Sequence, residues 1–483
     1  MQNKPNSISS SLMWNLLERL GVQGTQLVVS IILARILLPE AYGVLSLVTV
    51  FVNLATVVVE TGFGSSIIQK KDITKAEINT IFTFNFMVSV VLCGLLWGFA
   101  PVIASFYDQY DGDLLTQVIR IYSLILPIGA VTSIQSSVIY RDMAFKKFFV
   151  INLASIFVSS AVGIAMACLG AGVWALIAQQ LSAKLVLLVT MLFAVKWKPW
   201  LDFRFKRCMS MFRFGANILF NRLLNMLYNQ ASSLVIGKKY TSDMLAYYTK
   251  ANTFPSLIAT NTDYALQKVM FSAYSKSQDN VDTVREMMRK TISLSTFLLS
   301  PLLFGMLACS ENIVRVLLTD KWLPSVVYMQ IFCLSYFLQP IGTTAAQALN
   351  GIGRSNITLR VGLVTKIIGI GVVFLTVQFG VPYIALGVLG TTVISSVVYM
   401  VVNKKVFHYT FKDQLLDIGP NVLNATAMVL VCLGVGWLCR SMAPVAALCL
   451  QILAGGVWYV GMAALCRDKN LKYLLAKLRS MKK

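Results

Sequence analysis

Basic side chains interrupt long stretches of the sequence that are otherwise apolar. The five residues of this kind are Arg19, Lys184, Arg222, Lys250 and Lys366. A charge inside a membrane costs at least about 2.5 to 3.5 kcal/mol, so such a residue usually faces a cavity or a partner. Arginine forks and lysine point charges are the usual ligands of phosphate groups. We therefore predict a cationic cavity for an anionic ligand, formed by Arg19, Arg222, Lys250 and Lys184.

Two acidic residues accompany two of these arginines. A shift of 203 residues along the chain places Arg19 on Arg222 and Glu60 on Asp263. We predict two pseudo-symmetric ion pairs, Arg19 with Glu60 and Arg222 with Asp263. Each pair is interpreted either as static neutralisation or as a gate that opens for a substrate or a coupling ion. Together with Glu18, these acids are the candidates for coupling or gating.

Amide side chains recur at steps of three or four in several apolar stretches, which places them along one face of a helix. They are Asn15, Gln23, Gln26, Asn53, Asn217, Asn221, Asn225, Asn229 and Asn252. An unsatisfied polar face is costly in lipid, so we predict that these faces line one water-filled cleft and bind sugar hydroxyls. The alternative is that the amides only hold helices together.

Lys250 breaks the internal symmetry, since the shift of 203 residues places it on Leu47. It lies near the middle of its predicted helix, five residues before a kink expected at Pro255. The asymmetry predicts a role in substrate specificity. The alternative is a lysine whose long stem carries its charge to a membrane interface.

The elements that position these residues are predicted to be membrane-spanning helices. Of the 483 residues, 57% are apolar and 13% are charged, and the mean hydropathy is +0.71. Crossing a bilayer core of about 30 Å takes roughly 20 mostly apolar residues. We predict an all-α membrane protein whose first, seventh and eighth spans are the most polar. Its fourteen spans are 10–36, 41–61, 78–105, 114–137, 148–169, 172–195, 211–237, 244–265, 292–310, 325–349, 357–379, 382–402, 418–439 and 443–466.

Lysine and arginine are distributed unevenly between alternate predicted loops. With the N-terminus in the cytoplasm, thirty of them lie on the cytoplasmic side and seven on the opposite side. The positive-inside rule therefore predicts that both termini are cytoplasmic. The net charge of +22 is spread over many short loops, which predicts contact with anionic membrane lipids and no nucleic-acid binding.

The chain also contains an internal repeat. The tripeptide Pro127-Ile128-Gly129 recurs as Pro340-Ile341-Gly342, and an arginine follows fourteen residues after the proline in both copies. Parallel repeats of this kind occur in transporters whose halves rock about a shared site at the middle of the membrane. We predict two parallel six-helix lobes with an added helix pair. The boundaries are 1–205 for the N-lobe, 206–410 for the C-lobe, 411–466 for the added pair and 467–483 for a basic cytoplasmic tail.

Motifs for catalysis and nucleotide binding are missing from the sequence. It has no GxxxxGK[ST] loop, so ATP hydrolysis is not expected. The single histidine, His408, is interpreted as an ordinary loop residue, and the nine cysteines form no CxxC pair. We expect a transporter without catalytic residues, metal or cofactor, apart from a coupling ion such as H⁺ or Na⁺.

Short motifs in a fixed order carry a family resemblance. They are Ala34-Arg35-Ile36-Leu37, Pro39, Tyr42-Gly43, Glu60-Thr61-Gly62-Phe63-Gly64, Ile67-Ile68-Gln69, Arg213-Phe214-Gly215, Tyr247-Tyr248, Lys321-Trp322 and Gly353-Arg354. Over most of its length the chain resembles the polysaccharide-transporter branch of the multidrug/oligosaccharidyl-lipid/polysaccharide (MOP) exporter superfamily, specifically the Wzx-like flippases of the colanic-acid exporter type. The resemblance implies two six-helix lobes around a cationic cavity and two extra helices.

The resemblance further implies that undecaprenyl-pyrophosphate-linked oligosaccharide moves outward across the bacterial inner membrane by alternating access. On this hypothesis the product is a surface polysaccharide such as lipopolysaccharide O-antigen, capsule or exopolysaccharide, and a polysaccharide polymerase is among the partners. A cation-coupled multidrug antiporter is the first alternative, but it would need an acidic cleft. A membrane glycosyltransferase or polymerase is the second, but the predicted external loops are too short for it.

Overall fold

The structure is a computed structural model of the chain. It describes the backbone of residues 8–60, 67, 70, 73–195, 197–201 and 205–481. Within these ranges it describes all side chains except those of 8–20, 205–218, 221, 265–269 and 477–481. In the described ranges the regular elements are α-helices and one short 3₁₀ helix, without any strand. The all-α prediction is confirmed.

The chain forms two compact units, Met1–Ala246 and Tyr247–Lys483. The helices of the first unit are α1 (Ile8–Ile36), α2 (Pro39–Val59), α3 (Lys75–Phe106), α4 (Gly112–Ser123), α5 (Ile125–Arg141), α6 (Phe145–Cys168), α7 (Val173–Ala194) and α8 (Phe205–Lys239). Helix α9 (Ser242–Lys276) begins in this unit and continues into the second. Because α8 packs against α2 and α3, the unit boundary differs from the predicted lobe boundary at 205/206. The six-helix repeat stays a prediction.

The second unit continues with seven further α-helices, a 3₁₀ helix and a C-terminal α-helix. In order they are α10 (Val281–Ala308), α11 (Ser310–Leu317), the 3₁₀ helix (Asp320–Ser325), α12 (Val326–Gly351), α13 (Ser355–Thr376), α14 (Val381–Phe407), α15 (Phe411–Leu438), α16 (Pro444–Leu465) and α17 (Lys469–Met481). Helix α17 lies in the segment that was predicted only as a basic tail.

Eleven helical segments among the described residues are long and apolar enough to cross a membrane, so the chain is a multi-pass membrane protein. Helices α8 and α9 are more polar and do not meet that criterion, and the described part of α1, Gly21–Ile36, is apolar but too short for it. These three helices correspond to the first, seventh and eighth predicted spans, which the sequence predicts to be the most polar. All fourteen predicted spans coincide with helices, whereas the number that cross the membrane stays a prediction.

Local signals determine where several helices begin. Thr74 and Glu77 form a capping box at the start of α3, in which each side chain accepts a hydrogen bond from the other residue's backbone N–H. Asp111 caps α4 by accepting the N–H of Leu114 at 3.2 Å. Pro39 occupies the first turn of α2, where its missing N–H carries no cost.

Each unit has its own apolar core. The core of the first unit is formed by Ile67, Ile78, Ile81, Phe82, Ile134, Ile139, Phe148, Ile151, Met191, Val195 and Trp197. The core of the second joins α10, α15 and α16 through Phe297, Cys309, Ala425, Met428, Cys432, Tyr459 and Ala463. Large apolar side chains such as Val91 and Phe99 of α3 and Val457 of α16 are exposed, as expected of helices that face lipid.

Polar contacts tie the last three helices to α10. Asn421 on α15 donates to the carbonyl oxygen of Ser293 at 3.0 Å. The Tyr459 hydroxyl on α16 donates to the carbonyl oxygen of Phe297 at 2.9 Å. Asn470 on α17 donates to the hydroxyl oxygen of Ser293 at 3.0 Å. In a membrane such bonds add specificity to the van der Waals packing of helices.

An ion pair joins the first part of α10 to α15. Arg289 donates through Nε and Nη2 to the two carboxylate oxygens of Asp417, at 2.8 and 3.1 Å. The Tyr409 hydroxyl donates to the same carboxylate at 2.6 Å, and its ring lies 5.8 Å from the Arg289 guanidinium. This bidentate pair with a third donor satisfies the carboxylate almost completely.

Candidate functional site

The predicted cavity residues of the first unit lie on α1, α2, α7 and α8. Lys184, Asn53 and Gln23 are half-buried. Gln26, Arg222, Asn225 and Asn229 are exposed. The side chains of Asn15, Glu18, Arg19, Asn217 and Asn221 lie outside the described residues, and their place in a cavity stays a prediction.

The two predicted ion pairs are not tested by this arrangement. Glu60 is exposed at the C-terminal end of α2, where its N–H donates to the carbonyl oxygen of Thr56 at 2.8 Å. The side chain of its predicted partner Arg19 is outside the described residues. Arg222 belongs to the first compact unit and Asp263 to the second. Both pairs therefore stay predictions.

Lys250 is buried beside an aromatic group in the second unit. It is 5% exposed, and its Nζ lies 5.9 Å from the centroid of the Trp322 ring. Trp322 is completely buried in the 3₁₀ helix, and Tyr247 packs edge-on against it. A cation over an aromatic face gains about 2 kcal/mol or more when desolvated. Because α9 extends to Lys276, Lys250 lies in the first third of the helix and not near its middle.

One turn further along α9, Asn252 and Ser256 contact a tyrosine of α12. The Tyr336 hydroxyl lies close to both side chains. In the part of the chain that the structure describes, Asn252 Oδ1 is buried without a hydrogen-bond partner. A buried acceptor without a partner is costly unless water or a ligand satisfies it. The role of Asn252 in lining a cleft stays a prediction.

Asp263 lies deeper along the same helix and is 5% exposed. Its Oδ2 accepts a hydrogen bond from Gln339 Nε2 at 2.7 Å, and the hydroxyl of Thr343 donates to the carbonyl oxygen of Gln339 at 3.1 Å. Beside it is a cavity of ≈ 10 Å³, which is room for one water-sized species. Its lining consists of Asp263, Met270, Tyr274, Thr291, Ser295, Thr343, Thr344 and Gln347.

Sequence analysis missed the α12 side chains that complete these contacts, namely Tyr336, Gln339 and Thr343. A single amide or hydroxyl in an apolar stretch gives little warning of such a role. One signal was available, because Gln339 directly precedes the repeated Pro340-Ile341-Gly342 motif. Trp322 was noted only as part of the family resemblance.

In the first unit, an ion pair joins the end of α8 to the loop between α3 and α4. This loop lies at the opposite end of α3 from the Thr74 cap. Lys238, one of two lysines in the last turn of α8, donates to Asp108 Oδ1 at 2.9 Å and lies 4.6 Å from the centroid of the Phe106 ring. The hydrogen bond from Lys238 lowers the pKa of the Asp108 carboxyl below its usual range. This contact fixes the end of α8 to the loop between α3 and α4.

Comparison with known families gives a match over most of the chain. The profile of the family described as "Polysaccharide biosynthesis protein" matches residues 32–327. The chain is 23% identical over 367 residues to the succinoglycan biosynthesis transport protein ExoT of Rhizobium meliloti (strain 1021), covering 76% of this chain and 74% of that protein. It is 25% identical over 443 residues to the teichuronic acid biosynthesis protein TuaB of Bacillus subtilis (strain 168), covering 88% of each.

Solved structures share the fold. A lipid II flippase, MurJ, in an inward closed conformation aligns with a TM-score of 0.72 at 16% identity, covering 95% of this chain and 99% of that one. A multidrug resistance MATE family transporter of the MOP superfamily in an inward-facing conformation aligns with a TM-score of 0.65 at 13% identity, covering 82% and 97%. The family match confirms the resemblance found in the sequence motifs. The chain belongs to the polysaccharide biosynthesis protein family and has the fold of MOP-superfamily transporters.

Proposed function

We propose that this protein is a flippase that moves undecaprenyl-pyrophosphate-linked oligosaccharide from the cytoplasmic to the outer leaflet of the bacterial inner membrane, by alternating access and for surface polysaccharide synthesis. Membership of the polysaccharide biosynthesis family carries the proposal. The relative named as a succinoglycan biosynthesis transport protein and the fold shared with a lipid II flippase support it.

The charge of the chain supports an anionic headgroup as the substrate feature that is recognised. In the proposed function Arg19, Arg222, Lys250 and Lys184 hold the pyrophosphate, and the lipid tail stays in the membrane. The setting of Lys250 suits this role, since a buried ammonium group over an indole ring attracts anions more strongly than one in water. The amide faces bind the sugar hydroxyls.

The proposed orientation has both termini in the cytoplasm, so that the basic loops contact anionic lipids of the inner leaflet. Energy comes from the movement of H⁺ or Na⁺, with Glu60 and Asp263 as the carboxylates that respond to the ion. A polysaccharide polymerase and other assembly proteins receive the product on the outer side.

Reconstituted vesicles test this function directly. Protein is inserted into vesicles whose lipid includes a defined lipid-pyrophosphate oligosaccharide, and a sugar-cleaving enzyme added outside reports how much substrate reaches the outer leaflet. We expect translocation that depends on the protein. Correctly inserted protein that moves no substrate would contradict the proposal, and export of a cationic drug by the same vesicles would favour the antiporter.

Substitution of the basic residues tests the assignment of the headgroup site. We expect Arg19→Gln with Arg222→Gln to slow translocation by at least about tenfold, because a hydrogen bond to a charged group contributes about 1.5 to 3 kcal/mol. Arg440→Gln, which changes an exposed arginine between α15 and α16, is the matched control and should not slow translocation. Full activity of the double variant, at equal amounts of folded protein, would remove these arginines from the site.

A further inference from the structure

Two cysteines come together in the apolar core of the second unit. Cys309 follows the last residue of α10 and is 3% exposed, and Cys432 lies on α15 and is 1% exposed. Their sulfur atoms lie close to each other, and both are free thiols in the structure. Of the eight cysteines whose side chains the structure describes, these are the two that share one core. A single buried cysteine acts as a small apolar side chain, whereas two neighbouring thiols can form a disulfide.

Charged residues next to Cys309 indicate which part of the membrane protein this core belongs to. Glu311 and Arg315 on α11 form an ion pair at 2.9 Å, and their side chains are 64% and 40% exposed. Exposed charges of this kind lie in water and not in hydrocarbon. In the proposed orientation α10 runs from the cytoplasmic to the outer side, so the two cysteines lie near the outer surface. Disulfides form and persist on that side of a bacterial inner membrane.

Helix α16 covers Cys432. The Cys432 thiol donates to the carbonyl oxygen of Gln451 at 3.5 Å, and Gln451 Nε2 donates to the carbonyl oxygen of Cys432 at 3.0 Å. Gly455 leaves room for the sulfur, since a Cβ added there would lie 2.6 Å from Cys432 Sγ. Because α16 follows both cysteines in the chain, the thiols are uncovered until this helix packs and are shielded afterwards.

We propose that Cys309 and Cys432 are joined by a disulfide, a modification that links the end of α10 covalently to α15. The oxidant is the disulfide of a thiol oxidoreductase outside the membrane, and it acts before α16 packs. The Cys309 thiolate attacks this disulfide, which forms a mixed disulfide and releases one enzyme thiol. The Cys432 thiolate then attacks the Cys309 sulfur and releases the second enzyme thiol. Two thiols of the protein are thereby oxidised, and one enzyme disulfide is reduced to two thiols that take up both protons.

The disulfide joins two parts of the chain that the sequence divides. The predicted boundaries place Cys309 in the C-lobe, 206–410, and Cys432 in the added helix pair, 411–466. A covalent bond between them makes the added pair move together with α10 in any conformational change. The inference goes beyond the proposed function, since it depends on the proposed orientation and not on the substrate.

Mass spectrometry of peptides tests the modification. Cells with an active thiol oxidoreductase outside the inner membrane produce the full-length protein, and an alkylating agent blocks free thiols in the membrane and again during unfolding without reductant. We expect most chains to yield a peptide pair linked through Cys309 and Cys432 that separates on reduction. Cys333 on α12 is 1% exposed but lies outside this core, so it is the internal control and should be alkylated on unfolding.

Thermal unfolding in detergent gives a second readout. The two cysteines are more than a hundred residues apart, and a cross-link that closes so long a loop restricts the unfolded chain. We expect a reductant to lower the unfolding midpoint of the unaltered protein by a few degrees. Cys432→Ser should lower it similarly and abolish the effect of the reductant. Cys439→Ser, a change at a buried cysteine directly after α15, is the matched control and should keep the effect of the reductant.

Complete alkylation of Cys309 and Cys432 in the unfolded, unreduced protein would overturn the proposal. Linked peptides that appear only after treatment with a copper oxidant would also overturn it, because they show proximity without modification in the cell. The peptide analysis needs no lipid-linked substrate, so the vesicle assay keeps the two proposals distinct. Translocation without the disulfide removes only the cross-link, and a disulfide without translocation removes only the flippase.

Discussion

At the scale of single residues, Tyr409 is a buried polar residue between the end of α14 and the start of α15. It follows His408, which ends α14 with a positive φ of 52°, and it is completely buried. Burial raises the pKa of the Tyr409 hydroxyl, and its hydrogen bond to Asp417 acts in the same direction. The hydroxyl therefore stays protonated in the folded protein, and its contribution to stability is fully present below the ordinary tyrosine pKa of about 10 and is lost as the pH rises from there through the raised pKa.

We expect Tyr409→Phe to lower the free energy of unfolding by about 1 to 2 kcal/mol, because it removes one hydrogen bond to a charged acceptor and keeps the ring. Chemical unfolding in mixed micelles measures the change. Tyr473→Phe, on the exposed surface of α17, is the control and should be neutral. Equal stability of both variants would show that Arg289 alone satisfies Asp417.

The sequence indicated which charged residues need a compensating environment inside the membrane. It did not indicate which neighbouring side chains provide that environment. Lys250 and Asp263 stood out because a charge is costly in an apolar stretch. Their observed neighbours Trp322 and Gln339 lie more than seventy residues away along the chain. Helix packing decides such contacts, and neither periodicity nor charge spacing specifies how two particular helices pack.

At the scale of the helices, close approach explains one of the family motifs. Gly43 on α2 lies against the first residue of α9, and a Cβ added there would lie 2.5 Å from the carbonyl carbon of Ser242. Backbone atoms cannot rotate away as a side chain can. The glycine of the Tyr42-Gly43 pair is therefore required for α2 to pack against α9.

We expect Gly43→Ala to destabilise the protein by about 1 to 3 kcal/mol or more through overpacking. Gly94→Ala on α3 is the matched control, since nothing lies within 4 Å of its added Cβ. Alanine favours a helix over glycine by up to about 1 kcal/mol, so this control should be neutral or stabilising. Thermal unfolding in detergent compares the two, and similar losses in both would contradict the packing explanation.

Helix positions were predictable because a span must be long and apolar, whereas interruptions and short helices were not. The predicted span 114–137 is divided at Leu124 into α4 and α5. Helix α17 was missed because its composition is that of a charged tail. It forms where Leu471 and Leu474, three residues apart, reach the core shared by α10, α15 and α16.

At the scale of the whole molecule, the proposed orientation makes a prediction that native cysteines can test. Cys168 at the end of α6 and Cys466 at the end of α16 are both exposed, and the predicted topology places them on opposite sides of the membrane. In variants that keep one cysteine, we expect a membrane-impermeant maleimide to label Cys168 in spheroplasts and to label Cys466 only after lysis.

Cys449 provides the control for access. It is exposed within α16 but faces lipid in the predicted topology, so a water-soluble reagent should not label it on either side. Labelling of Cys466 in intact spheroplasts would place the C-terminus outside and would reverse the direction assigned to every loop.

The bonds that α10 makes to the last helices restrict how this chain could shorten during evolution. Deletion of α15 to α17 would leave Ser293, Thr296 and the carbonyl oxygen of Phe297 without the partners they have in Asn421, Asn470 and Tyr459. Groups left in this way would face hydrocarbon. We therefore expect a homologue that ends after α14 to have apolar residues at the positions of Ser293 and Thr296. Such substitutions would make the loss of the last helices tolerable.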